Sequence, residues 1–247
     1  MAKRVGVILS GCGHRDGSEI HEAVLTMLSL DRAGATIVCA APDVAQAAIV
    51  DHLSGAVAAA GGQRRVLAES ARIARFGIKP LGALDARDVD ALVFPGGQGV
   101  GQVLSNWAEK GEVCDVNPDV ARLLRACLPA KKPMAFICLA PILAARILGP
   151  IAGVRITLGP RGTIPAKHAA VMGADVRPCP ANDIVVDQKN RVVSTPAFMY
   201  DEARPREIAA AIEKLVRTLM SFARDRAPAP AAQPPAPRPN PAPRAPR

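Results

Sequence analysis

Aromatic residues are scarce in this 247-residue chain: one Trp, one Tyr and five Phe make up 3% of it. Any core must therefore be filled by Ala, Val, Leu and Ile, which a hydrophobic content of 49% supplies. No run reaches about 18 uninterrupted apolar residues, so no membrane span is expected. The start of the chain lacks the apolar stretch and cleavage site of a signal peptide. Residues 5–9 read directly as a strand, and the expectation is a cytoplasmic protein. The six cysteines contain no C-x-x-C pair, and a cytosolic chain of this size has no need of disulfides. The four histidines show neither an H-E-x-x-H nor a zinc-finger spacing, so no metal site is expected. Acidic residues fall short of basic ones, leaving a net charge of +9. Arg226, Arg238, Arg244 and Arg247 carry part of that excess, and without these four the rest holds +5. With no basic helix and no interleaved aromatics, this charge does not argue for nucleic-acid binding.

What is present falls into two parts. Residues 227–247 carry nine prolines amid Ala and Arg, a composition that forms neither helix nor core. The expectation is a folded domain over 1–225 and a disordered tail over 226–247, a solvated extension or a docking segment for a partner. Within 1–225, strand and helix patterns alternate. Strands are expected at 4–9, 36–40, 90–94, 133–137 and 154–158. Residues 184–187 and 191–194 suggest a hairpin about Gln188-Lys189-Asn190. Helices are expected at 18–33, 65–75, 118–127, 139–148 and 205–224, and a helix or turn at 164–172. Asp16 or Ser18 is the candidate N-cap of the first, and Gly34 its stop. This alternation argues for an α/β fold: a mostly parallel sheet flanked by helices on both faces, plus a small β-hairpin. In such sheets functional groups gather beyond the carboxyl ends of the strands.

Three strand ends carry chemistry. Ser10-Gly11-Cys12-Gly13 follows the first strand, Pro95-Gly96-Gly97 a middle one, and Cys138 the strand over 133–137. A cysteine between a buried strand and a helix sits at a nucleophile elbow. The adjacent helix N-terminus favours its thiolate. The competing reading of any free cysteine is a small buried hydrophobe. Gly96 and Gly97 let backbone N–H groups approach closely, as an oxyanion hole requires, and the Leu139 N–H is the candidate second donor. Glu19 and Glu22 are three apart at the start of a helix and share one face, from which a carboxyl can exchange a proton with Cys138. An acidic first turn also simply complements a helix dipole.

Together these residues resemble a known family. The run Val5-Gly6-Val7-Ile8-Leu9-Ser10-Gly11-Cys12-Gly13, followed by Asp16-Gly17-Ser18-Glu19-Ile20-His21-Glu22-Ala23-Val24-Leu25, is similar to the opening of the ElbB-type glyoxalases. These belong to the PfpI and parkinsonism-associated deglycase superfamily, within the class I glutamine-amidotransferase-like fold. Further likeness lies in Phe94-Pro95-Gly96-Gly97, Leu104-Ser105-Asn106, Cys138-Leu139-Ala140-Pro141, Cys179-Pro180, Asp183-Ile184-Val185-Val186-Asp187 and Ser194-Thr195-Pro196-Ala197. The resemblance spans residues 1–220 and omits the tail. It implies a flavodoxin-like three-layer sandwich, a homodimer, and cofactor-free, glutathione-independent action on small dicarbonyls, glyoxal to glycolate. It maps the nucleophile onto Cys138, the oxyanion loop onto Gly97 and the acidic partner onto Glu22, with Glu19 as competitor.

One departure matters. Many relatives place a histidine directly after the elbow cysteine or on the next strand, whereas here Leu139 and Ile156-Thr157-Leu158-Gly159 occupy those places. His168 follows farther on and is a poor candidate for the missing group. This speaks against a Cys-His-Glu hydrolase triad and for a thiol paired with a carboxyl. The rival expectation is a redox sensor in which Cys138 is oxidised and Cys12, on the same sheet edge, resolves it.

Overall fold

The strands form because apolar, β-branched runs are bounded by Pro, Gly and charged residues, and because most of them are covered on both faces. The computed structural model describes residues 2–58, 64–75 and 77–225; the tail expected over 226–247 lies outside the described residues. In chain order the main elements are β1 (Arg4–Ile8), α1 (Ile20–Arg32), β2 (Thr36–Ala41), α2 (Val66–Ala74), β3 (Ile78–Pro80), β4 (Ala91–Phe94), α3 (Trp107–Lys110) and α4 (Pro118–Cys127). There follow β5 (Met134–Ile137), α5 (Pro141–Ala152), β6 (Arg155–Ile156), α6 (Ile164–Val171), β7 (Asp175–Val176), β8 (Val185–Asp187), β9 (Val192–Thr195) and α7 (Pro205–Arg224).

Seven strands make one sheet in the order β3-β2-β1-β4-β5-β9-β8. All pairs are parallel except β8 against β9, the expected hairpin. The chain moves outward from β1 through β2 to β3, returns to β4, then moves outward the other way. Right-handed crossovers therefore put α1 and α2 on one face and α4 and α5 on the other. α7 closes the first face, packing on α1 and across β4, β5 and β9. Every residue of β4, β5 and β9 is buried, as expected for strands covered on both sides. Phe94 and Phe136 are register partners and stack with ring centroids 5.1 Å apart, which adds about 0.5–1.5 kcal/mol beyond their area burial. The strand order reverses between β1 and β4, so the carboxyl ends of β1, β4 and β5 open at the switch point of the sheet.

Several boundaries differ from expectation. The helix expected from 139 begins at Pro141, because Cys138 to Ala140 form a turn. The strand expected over 154–158 shrinks to β6, which pairs only with β7 in a separate two-stranded sheet. β3 was not expected: three residues ending in Pro give too little pattern. Neither Asp16 nor Ser18 caps α1. Ser18 Oγ instead accepts the Ser10 N–H at 2.8 Å, and Asp16 Oδ2 accepts the Val50 N–H at 2.9 Å. Both are committed to tying down the β1–α1 loop, and Glu19 takes the cap, accepting the Glu22 N–H at 2.6 Å.

Candidate active site

Two glycine-rich loops braid at the carboxyl edge. The Glu19 N–H donates to Gly96 O (2.9 Å), Gln98 N–H to His14 O (2.8 Å) and Gly99 N–H to Gly17 O (3.0 Å). The backbones run so close that no side chain fits between them. A Cβ on Gly96 would overlap the Cβ of Cys138 and lie 2.6 Å from Glu22 Oε2. A Cβ on Gly97, whose φ is +97°, would lie 2.5 Å from the Glu19 nitrogen. The two glycines thus bring the backbone against the thiol and the carboxyl at once.

Cys138 leaves β5 with φ +60°, in the left-handed region that residues with a Cβ rarely adopt. Such a conformation costs on the order of 1–3 kcal/mol and must be held by its surroundings. The Cys138 N–H donates to Thr195 O on β9 at 2.9 Å, anchoring the elbow to the neighbouring strand. The sulfur then faces the N–H groups of Gly97 and Leu139, which favour its ionised form.

Glu22 is completely buried beside it. Its Oε2 accepts the Gly96 N–H (2.9 Å) and its Oε1 the Phe198 N–H (3.3 Å), and it is hydrogen-bonded to Cys138. Burial first, then the charge of Glu19, pushes its carboxyl up to about 8. The expected low-pKa thiolate is not what the surroundings produce. Burial, then the Glu22 charge, push the Cys138 thiol well above its usual value, and these outweigh the two N–H groups. The two groups therefore titrate as one unit that resists a second negative charge.

Of the two candidate carboxyls, Glu22 contacts the thiol. Glu19 caps the helix and holds His21 Nδ1 at 2.8 Å, at the rim of the same cleft. Cys12 is not brought to this site. It is half-buried, its charged neighbours are Arg72, Glu69 and Asp16, and it does not line the cleft. His168 does not line the cleft either: its Nε2 lies 3.1 Å from Glu112 and its ring packs edge-on against Trp107. Among the described residues no group of His, Cys, Asp and Glu is arranged to hold a metal ion.

Cys138 opens into a cleft of about 510 Å³. Sequence reasoning missed most of its wall: Trp107, Pro165, Phe198 and Met199, with His14 and Asp201 at the polar side. These come from four separate segments that no spacing rule connects. The one available signal was the likeness noted over Ser194-Thr195-Pro196-Ala197. There Ala197, with φ +44°, begins the tight turn that presents the Phe198 N–H to Glu22.

No family model matches the chain. It is 43% identical over 211 residues to the human glutamine amidotransferase-like class 1 domain-containing protein 3, mitochondrial, covering 82% of this chain and 77% of that protein. It is 44% identical over 206 residues to the rat ES1 protein homolog, mitochondrial, covering 80% and 76%. The expectation of a cytoplasmic protein is corrected by these relatives, which are named as mitochondrial, as is the zebrafish ES1 protein. The crystal structure of an Ehrlichia chaffeensis isoprenoid biosynthesis protein with an amidotransferase-like domain superposes with a TM-score of 0.83 at 34% identity, covering 90% of this chain and 99% of that one. A ThiJ/PfpI domain protein from Brachyspira murdochii shares the fold at a TM-score of 0.55 and 14% identity. These likenesses and the elbow cysteine support a cysteine-based activity at the level of the family. The chain belongs to the ES1 and glutamine amidotransferase-like class 1 domain-containing family, on the flavodoxin-like α/β fold of the ThiJ/PfpI proteins.

Proposed function

We propose that the protein is a cofactor-free glyoxalase that converts glyoxal to glycolate through Cys138 and Glu22. The observation that carries this reading is the buried contact between the two groups, with Glu22 raised to about 8 and no histidine in the pair. A carboxyl tuned close to neutrality both accepts and returns a proton, which suits an isomerisation better than hydrolysis.

The steps balance without an external oxidant. Cys138 sulfur adds to one aldehyde carbon while its proton passes through Glu22 to the new alkoxide, giving a hemithioacetal. The N–H groups of Gly97 and Leu139, already aimed at the sulfur, stand beside the oxygen on the attacked carbon. Glu22 then removes the C–H proton of that carbon and delivers it to the neighbouring carbonyl carbon through an enediol. The hemithioacetal carbon is oxidised to a thioester as its neighbour is reduced to an alcohol. Water cleaves the thioester, releasing glycolate and the thiol.

A redox-sensor role has less support, since burial and Glu22 oppose the thiolate and Cys12 lies outside the cleft. The reading is tested by following glyoxal loss and glycolate formation. Wild type is expected to turn over and Cys138→Ala to fall to background. Full activity in Cys138→Ala overturns it.

A further inference from the structure

A second cavity lies outside the cleft at Cys138. It encloses about 320 Å³, a size suited to a small ligand. One segment serves both: Gly159 to Gly162 line the second cavity, and Pro165 lines the cleft. Gly159 also backs onto the cleft wall, since an added Cβ would lie 3.1 Å from the Cβ of Met199.

The two cavities carry opposite charge. Among the described residues, the cleft is lined by Glu19 and Asp201, by His14 and His21, and by no Lys or Arg. The second cavity is lined by Arg161, Lys167 and Arg177 and by no Asp or Glu. These three cations come from the loop before α6, from α6 itself and from the residue after β7. The carboxylate that meets this cluster is Asp175, and it is shared. Arg155 Nε and Arg177 Nε each approach it at 2.8 Å, so one negative charge faces two guanidiniums. Arg161 and Lys167 have no ion pair among the described residues.

Side chains, not a helix end, create this surplus. α6 begins beside the cavity, but Pro165 has no N–H to offer, and the Thr163 hydroxyl accepts the Ala166 N–H at 3.4 Å. A guanidinium presents a planar fork of donors that matches phosphate oxygens, and a lysine adds a point charge. A phosphate monoester loses its second proton near pH 6, so at neutral pH it brings close to two negative charges on one compact group. The remaining wall is apolar, with Pro160, Ala170, Val176 and Pro178. An organic group on the phosphate covers that wall, whereas free phosphate leaves it bare.

We propose that this second cavity binds a phosphate monoester, with the phosphoryl group among Arg161, Lys167 and Arg177 and the organic group against Pro160, Val176 and Pro178. No bond forms or breaks there, and the site is independent of the chemistry at Cys138.

Calorimetric titration of the full chain at pH 7.5 tests it, with phenyl phosphate, inorganic phosphate and phenol as probes. Phenyl phosphate is expected to bind saturably and about tenfold more tightly than inorganic phosphate, because its ring buries apolar surface. Phenol is expected to give no saturable heat. Arg161→Ala and Lys167→Ala should each weaken phenyl phosphate by about tenfold, as loss of a charge-assisted hydrogen bond does. Both side chains are exposed, so neither variant threatens the fold. Ala170→Leu fills the cavity without removing charge and should weaken binding as well. Arg87→Ala removes the same charge ahead of β4, at the other edge of the sheet, and should leave binding unchanged. Absence of saturable phenyl phosphate binding overturns the proposal. So does a loss in Arg87→Ala equal to that in Arg161→Ala, which would mean attraction to a basic surface at large. Equal affinity for inorganic phosphate overturns the monoester and makes free phosphate the ligand.

Discussion

Cys12 and Cys138 both follow parallel strands and both lie on the carboxyl edge of one sheet, yet their surroundings share almost nothing. Cys138 sits on a left-handed elbow against a buried carboxyl, with two backbone N–H groups at its sulfur and an open cleft in front. Cys12 sits half-buried near Arg72 and Glu69 of α2, outside the cleft that Cys138 opens into. The sheet edge therefore provides a platform, and the loops decide which thiol becomes reactive. Strain at φ +60°, Gly96 admitted beside the sulfur, and Glu22 reaching across from α1 are what separate the two.

The widest separation is in turnover. Cys138→Ala is expected to lower dicarbonyl turnover on the order of a thousandfold or more, as loss of a covalent nucleophile does. Cys12→Ala is expected to retain it. Comparable losses in both variants would erase the distinction, and parallel assays of glycolate formation decide the matter.

Gly96→Ala sharpens the structural half of the comparison. Its Cβ would overlap Cys138 and crowd Glu22, so elbow and acid cannot both stay where they are. Overpacking of this kind costs about 1–3 kcal/mol, and a lower melting temperature is expected together with near-complete loss of turnover. A variant with wild-type turnover would show that the close approach is not required.

Glu22→Gln separates reactivity from catalysis. Removing the carboxylate removes the charge that, after burial, holds the Cys138 thiol up. Iodoacetamide should then alkylate Cys138 faster at pH 8 to 9 than in wild type. Turnover should nonetheless fall about 10²–10⁴-fold, because the proton carrier is gone. The same variant reports on stability. Glu22 ionises near 4.5 when unfolded and at about 8 when folded, so in that window the folded state keeps a proton the unfolded state has lost. Stability from this group is complete below about pH 4.5 and falls as pH rises towards 8. Gln has no such dependence. Melts at pH 4.5, 6 and 8 should therefore show the variant gaining on wild type as pH rises, and a constant difference would mean Glu22 is ionised in the fold.

Much of this architecture was legible because strand and helix signals were strong and local. Pro118 and Pro205 mark helix starts, where a missing N–H costs nothing, and both helices begin there. The run Met134–Ile137 reads as a strand because each residue is apolar, and all four are buried. The turn over Gln188-Lys189-Asn190 identified the antiparallel strand pair of the seven-stranded sheet. Legibility ended where distant segments meet. Nothing near Trp107 or Phe198 in the chain says that they face each other's cleft, and nothing near Cys12 says that α2 covers it. The thiol's titration was misjudged for the same reason. A helix N-terminus is a local cue, whereas the burial and the Glu22 carboxyl that overrule it are supplied by tertiary packing.

The smallest expected effect tests the two carboxyls against each other. Glu19 acts on Glu22 in two ways: its Oε2 accepts the Glu22 N–H, and its charge is the second cause, after burial, of the raised Glu22 carboxyl. Glu19→Gln preserves an accepting oxygen at the cap and removes only the charge. Glu22 should then ionise at lower pH than about 8. The active pair is the form that has lost one proton, so kcat/KM rises with pH on the acid side as that proton leaves. In Glu19→Gln this acid limb should move to lower pH, with little change at the plateau. Glu19→Ala also removes the cap and adds a stability loss of about 0.5–2 kcal/mol. A limb that stays in place in Glu19→Gln would mean that Glu19 serves α1 alone. A shift to lower pH makes its charge, held in place by His21 at the rim, one of the settings of the proton carrier beside Cys138.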